Sequence, residues 1–156
     1  MSGRVRDEIK QRKPFRIPEE EAFVTLQRTA DALMQGLTVV LKPAGLSPTQ
    51  YNVLRILRGA GAEGLPCGEI ASRMVTRDPD ITRLLDRLEN RGLVSRSREK
   101  RDRRVVTTRI SQEGLGLLAE LDDPVLDVHR RQLGHLGARK IASLGKLLDA
   151  AREPVT

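Results

Sequence analysis

Tryptophan is missing from the 156 residues of this chain, and only one tyrosine and two phenylalanines occur. Recognition of RNA or of single strands usually stacks bases on aromatic rings, so so few rings argue against it. The core has to come from Leu, Val, Ile and Ala. Cysteine is equally scarce: Cys67 stands alone, cannot form an internal disulfide, and fits a reducing compartment. No apolar run approaches the roughly 18–20 residues that span a bilayer. The first residues alternate charges and prolines, without the apolar stretch of a secretory signal. A cytoplasmic protein with no membrane partner is expected. Repeats and low-complexity tracts are absent as well. So are a Ser-His-Asp set, a phosphate-cradling glycine loop and a paired-carboxylate cleft, which points away from an enzyme and from a cofactor.

What the chain does have is positive charge in one place. Residues 73–109 carry 12 Lys and Arg against 6 Asp and Glu, a net of +6 out of +7 for the whole sequence. The remaining residues carry 16 against 15. Charge focused this way marks a polyanion-binding surface rather than a generally basic protein. With aromatics scarce, duplex DNA is the polyanion it suits. The basic residues are 22 Arg and 6 Lys. Arginine favours bidentate phosphate and guanine contacts, although a GC-rich genome gives the same bias.

A chain this long forms one ordinary domain, burying roughly 68–70% of its unfolded surface. Residues 1–17 are polar, with six basic and two acidic side chains and Pro14, and read as a mobile arm. Pro18 opens a helix with Glu19, Glu20 and Glu21 in its first turn, where the helix dipole favours acid. Phe23, Leu26, Ala30, Leu33, Leu37 and Val40 recur at steps of 3 and 4, a seam that serves a core or a subunit interface. After Pro43 and Gly45 the next helix start is sharply marked. Ser47 is the N-cap, Pro48 is at N1 and Gln50 at N3, with Leu46 and Tyr51 at the staple positions. That helix stops at Gly59-Ala60-Gly61. A short third helix is expected at about 67–75, with Ile70, Ala71 and Met74 inward.

The fourth helix is expected to begin at Asp78-Pro79-Asp80, with Asp78 as N-cap and Pro79 at N1. Ile81, Leu84, Leu85 and Leu88 give it one apolar stripe, and Gly92 ends it. Leu93–Arg98 and Arg104–Ile110 then alternate as strands around the basic tip Glu99–Arg103. Ser111 caps a long helix to about 133, kinked at Pro124. The last helix runs from about 138 to 151 with Ile141, Leu144, Leu147 and Leu148. The fold class is therefore mainly α with a small β-hairpin wing: a winged helix-turn-helix flanked by long terminal helices.

Three stretches carry a strong resemblance to the MarR family of bacterial transcription regulators. They are Gly45–Tyr51 with Val53–Leu57, Thr82–Val94, and the wing, where the family signature Asp-x-Arg-x5-Leu-Thr appears as Asp102, Arg104, Ile110 and Ser111. The resemblance covers about 18–150. It implies a homodimer held by terminal helices 18–42 and 111–156, with a winged helix-turn-helix at 47–110 in a single domain 18–156. It also implies a double-stranded palindromic operator as partner, with the fourth helix in the major groove and the wing in the adjacent minor groove. Such a regulator is most often a repressor, released by a small aromatic or anionic effector bound between the dimer helices and the winged lobe.

In helix-turn-helix docking the N-terminal residues of the recognition helix reach base edges. Arg83 is the first candidate for a bidentate guanine contact and Arg87, one turn on, for guanine or phosphate. Pro79, Asp80, Thr82 and Asp86 complete the candidate surface. Asp80 is expected to cap the helix or order Arg83, and Asp86 to pair with the arginines if that face is merely solvated. In the wing, the resemblance gives Arg104 the minor-groove or backbone contact and Asp102 the bracing ion pair. Lys100, Arg101 and Arg103 are candidate phosphate contacts or plain basic surface. Tyr51 and Arg55 are candidates for the effector pocket, or else packing and surface residues. Cys67 opens the third helix, where a dipole can activate a thiol; an inert half-buried cysteine is the plainer reading. His129 and His135 are six apart, which does not put two metal ligands on one helix face, and no metal site is expected. Two other functions fit the charge: a DNA-coating protein with little sequence preference, and a winged-helix module that binds protein. On the main reading the protein is nucleoid-associated when bound.

Overall fold

The computed structural model describes residues 3–154. In chain order these form α1 (Val5–Glu8), α2 (Pro18–Leu41), α3 (Pro48–Ala60), β1 (Leu65–Pro66), α4 (Cys67–Arg73), α5 (Ile81–Asn90), β2 (Val94–Arg98), β3 (Val106–Ile110), α6 (Gln112–Leu133) and α7 (Gly137–Arg152). The sheet is antiparallel in the order β1-β3-β2. Val94 faces Ile110 and Arg98 faces Val106 across the hairpin, while Leu65 of β1 faces Thr108. Among the described residues no helix is long and apolar enough to cross a membrane.

The core fills the space between the short middle helices and the first half of α6. Val53, Leu54 and Leu57 of α3, Ile70 of α4, Leu85 and Leu88 of α5, and Leu118 of α6 are buried together, with Leu41 from the end of α2. Local signals set the entry to α3. The Ser47 hydroxyl accepts from the Gln50 amide at 3.1 Å, and the Gln50 side chain accepts from the Ser47 amide at 3.0 Å, which satisfies two donors that a helix start otherwise leaves open. Ser111 caps α6 with its hydroxyl alone, accepting from Gly114 N at 3.1 Å while donating to the Gly92 carbonyl at 2.6 Å. One hydroxyl thus joins the end of α5 to the start of α6. Arg91 donates to the carbonyls of Ala44 and Gly45, both at 2.8 Å, and ties the end of α5 to the corner after α2. Arg58 of α3 holds Asp122 of α6 in a bidentate pair at 2.9 and 3.0 Å.

Four local expectations change, the smallest being that the second wing strand begins at Val106 rather than Arg104, which lies in the turn. The segment read as an arm is held at one point: α1 packs on α2, Val5 is buried, and Glu8 accepts from both Arg4 and Arg28 at 3.1 and 3.0 Å. Val5 is an apolar residue with somewhere to go, which the surrounding charges conceal. The third helix ends at Arg73 rather than 75, and Ala71 is exposed while Met74 is half-buried. Met74 takes an extended backbone ahead of β-branched Val75 and Thr76, and Asn52 Oδ1 holds the Val75 amide at 2.8 Å. The fourth helix starts at Ile81, so Asp78 is not its N-cap and Pro79 is not at N1. Asp80 caps it, accepting from Arg83 N at 3.1 Å, and Asp78 instead accepts from the Asp80 amide at 2.8 Å. The backbone of Asp80 is non-helical, with φ −132° and ψ 66°, so the helix begins only after it.

Two glycines on α6 predict opposite outcomes. A Cβ at Gly114 would lie 2.5 Å from the Leu93 carbonyl oxygen and 2.7 Å from Ile110, whereas a Cβ at Gly116 meets nothing within 4 Å. Alanine gains up to about 1 kcal/mol of helix propensity over glycine, but overpacking against backbone costs about 1–3 kcal/mol. Gly116→Ala is therefore expected to raise the urea midpoint and Gly114→Ala to lower it. A stabilised Gly114→Ala would contradict the close helix–hairpin contact.

Candidate DNA interface

Helix α5 separates its two jobs by face. Ile81, Leu84, Leu85 and Leu88 are buried, while Thr82, Arg83, Asp86, Arg87 and Asn90 are exposed on the opposite side. Asp80 spends its carboxylate on the Arg83 amide, so it orders the first turn. Pro79 is exposed just before that cap. Among the described residues the Arg83 and Arg87 guanidinium groups have no hydrogen-bonded or ionic partner. They line an open groove of about 280 Å³ with Ser47, Thr49 and Gln50 from the start of α3. Two unpaired arginines one turn apart beside a helix start suit a phosphate-lined groove.

The wing stands beside this face. Asp102 accepts from the Arg104 amide and from Arg104 Nε, both at 3.1 Å, and from Nη2 at 3.4 Å. These bonds to Arg104 hold the Asp102 carboxyl below the usual aspartate range. The turn closes through Val105 N donating to the Asp102 carbonyl at 3.0 Å and Glu99 N to the Val105 carbonyl at 2.9 Å. Lys100, Arg101, Arg103 and Arg104 are all exposed. The Arg103 carbonyl is taken by Arg98 Nη1 at 2.7 Å, which curls the tip and leaves its side chains outward.

Asp86 does not pair with Arg83 or Arg87. Together with Glu89 it accepts from Arg96 at the base of the wing. Arg96 Nη2 donates to Glu89 Oε1 at 2.9 Å and Arg96 N to Glu89 Oε2 at 2.9 Å. Hydrogen bonding to Arg96 holds the Glu89 carboxyl below the ordinary range, against a smaller opposing effect of burial. Arg96 was not among the sequence candidates. Its one signal there is the pair of acids, three apart, on a helix otherwise chosen for DNA.

A second concavity lies behind α3. Tyr51 is buried, and its hydroxyl pKa is pushed up by burial, with the Arg55 charge opposing. The Arg55 guanidinium sits 5.9 Å from the Tyr51 ring centre. Both line a cavity of about 390 Å³ with Met34 and Leu37 of α2, Val75 and Thr76 before α5, and His129 of α6. His129 joins Tyr51 only through folding, and no spacing in the sequence announces it. Cys67 is half-buried at the crevice between wing and α5, with Thr82, Leu85, Arg96 and Arg104. Among the described residues no group of three His, Cys, Asp or Glu could hold a metal ion.

Known proteins match this arrangement. The MarR family model matches residues 46–106. A MarR transcription factor from Planctomyces limnophilus, solved by crystallography, is 42% identical and covers 88% of this chain and 99% of its own, with a TM-score of 0.68. The HTH-type transcriptional regulator MhqR of Bacillus subtilis is 29% identical over 64% of this chain and 67% of its own length. CouR from Rhodococcus jostii, solved bound to p-coumaroyl-CoA, is 26% identical over 91% of this chain and 99% of its own, with a TM-score of 0.74.

The Glu89–Arg96 contact generates a pH test. A carboxyl depressed by folding adds stability above its unfolded value, about 4.3 for glutamate, and loses that stability as pH falls through the lower folded value. Urea unfolding from pH 6 down to pH 3 is expected to show a shallower decline in Glu89→Gln than in the wild type. Identical slopes would mean that Glu89 is no more acidic folded than unfolded.

Proposed function

This chain belongs to the MarR family and is a DNA-binding transcriptional regulator, and we propose that it works in the cytoplasm as a homodimeric repressor on a palindromic operator. The observation that carries this reading is the pair of guanidinium groups, Arg83 and Arg87, without a partner among the described residues, on a helix whose other face is buried in the core. In this account residues 47–110 form the DNA-binding lobe, and 18–42 and 111–156 supply the dimer. Arg83 reads guanine through its N7 and O6, and Arg87 reads guanine or holds phosphate. Thr82 meets phosphate or a thymine methyl beside them. Arg104 enters the minor groove beside the half-site, braced by Asp102, while Lys100, Arg101 and Arg103 hold phosphates.

Support for the homodimer comes from uncovered apolar side chains. Dimerisation is typical of the family. Phe23 of α2 is 62% exposed and Leu147 of α7 is 69% exposed, with Ile17, Leu26 and Ile141 also outward. Each such side chain stabilises an interface by about 1.5–3 kcal/mol when fully buried. The cavity of Tyr51, Arg55 and His129 is the effector site on this reading. Its apolar walls and flanking guanidinium fit an aromatic carboxylate.

Selection from random and genomic duplexes, followed by titration against a scrambled duplex at fixed salt, tests the reading. The expected winner is a palindrome with half-sites about one turn apart, bound at least roughly 10³-fold more tightly than scrambled DNA. With some 6–10 phosphate contacts, log K should fall with log salt at a slope of about −5 to −9. Arg83→Ala is expected to weaken the selected duplex by roughly 10- to 100-fold and relax one base position. Benzoate should release the duplex and quench the emission of Tyr51, the chain's one tyrosine. Tight binding without a preferred site would make this a DNA-coating protein, and a slope near zero would point to a protein-binding module.

A further inference from the structure

Helix α5 and the wing have to meet DNA together, yet they are joined in sequence only by Arg91–Leu93. The root of the wing is anchored in the core, since Leu93, Val94, Thr107 and Thr108 are all buried. Beyond that root, one side chain crosses from strand to helix. Arg96 lies in the middle of β2, opposite buried Thr108. Its Nε and Nη2 donate to Glu89 Oε1 at 3.3 and 2.9 Å, its amide donates to Glu89 Oε2 at 2.9 Å, and Nη2 also reaches Asp86. The Arg96 side chain is only 21% exposed, against 91% for Arg104. A guanidinium held at Nε and Nη2 by two carboxylates one turn apart has a fixed position. It also offsets two negative charges that would otherwise face phosphate.

We propose, on the DNA-binding reading above, that Arg96 is a positioning residue that locks the angle between wing and recognition helix through Asp86 and Glu89. Arg83 and Arg104 then arrive at their grooves already aligned. The effect is preorganisation: a wing ordered before binding does not lose conformational freedom on binding. Arg96 does not itself need to touch DNA. The role also explains why two acids stand on a helix that binds a polyanion.

The test is a thermodynamic cycle between protein and duplex. The wild type is first used to select its operator; if none emerges, the DNA reading fails before Arg96 is in question. Affinities are then measured for the full operator and for a duplex trimmed of the base pairs flanking each half-site, where the wing lies. Wild type, Arg96→Gln and Glu89→Gln are compared, with thermal melts of each. The wild type should lose roughly tenfold or more on trimming. Both variants should bind the full operator roughly tenfold more weakly than wild type, yet lose little more on trimming, a coupling typical of groups that act as one unit. The buried root residues should keep both variants folded, with cooperative melts.

Three results would overturn the proposal. Equal losses on full and trimmed duplexes would reduce Arg96 to a general stabiliser of the lobe. A loss in Arg96→Gln with none in Glu89→Gln would make Arg96 a direct DNA contact, and its salt slope would then fall by about 1. A wild type indifferent to trimming would remove the wing from the interface altogether.

Discussion

Several large apolar side chains on α2 and α7, Phe23 and Leu147 foremost, stay exposed within one chain, and the proposed dimer rests on that constraint. Helix α2 runs from Pro18 to Leu41 yet fully buries only Leu41, and α7 fully buries none of its residues. Helices that leave Phe23 and Leu147 in water are not stable alone, because helical stability comes mainly from packing an apolar face. A second copy offering the same surface is the economical solution, since a two-fold interface matches each patch with itself. In the proposed dimer two lobes would follow from two chains, and a two-fold operator would follow from the apolar side chains that α2 and α7 leave uncovered.

Within each lobe, polar contacts carry the positions that the apolar core leaves loose. Asp80 sets where α5 begins, and Arg96 joins its flank to the wing. Arg91 fastens its end to the corner that follows α2. Arg58 and Asp122 join α3 to α6, beside the cavity that holds Tyr51. These bonds are partly exposed, so each adds little to stability, of the order of 1 kcal/mol or less. Their worth lies in direction. Three of them bear on α5, the proposed recognition helix, and the fourth bears on the helix that lines the cavity.

Much of this was legible in the sequence where the signal was local. The Ser47–Gln50 capping box, the Ser111 cap, the stripe of Ile81, Leu84, Leu85 and Leu88, and the hairpin around Asp102 all depend on residues a few positions apart, and all form, the hairpin with its second strand starting at Val106 rather than Arg104. Signals that depend on distant partners were not readable. Strand β1 is two residues long and exists because Thr107 and Thr108 pair with it. Val5 is buried only because α2 lies beneath it. Asp78, followed by Pro79, reads as the cap, and the non-helical backbone of Asp80 moves the start of the helix two residues on. Arg96 looked like one more basic residue, and His129 like a surface histidine, because their partners lie 7 to 10 and 78 positions away respectively, or across a cavity rather than along a helix face.

The most direct test of the account is the mass of the particle on and off DNA, measured by sedimentation equilibrium across a range of concentrations. A free species of twice the 17.4 kDa chain mass is expected. A selected palindromic duplex should take up two chains together, with no one-chain complex at low concentration. A stable free monomer that binds one duplex as a single chain would contradict the proposed dimer, because the exposed faces of α2 and α7 would then have some other purpose.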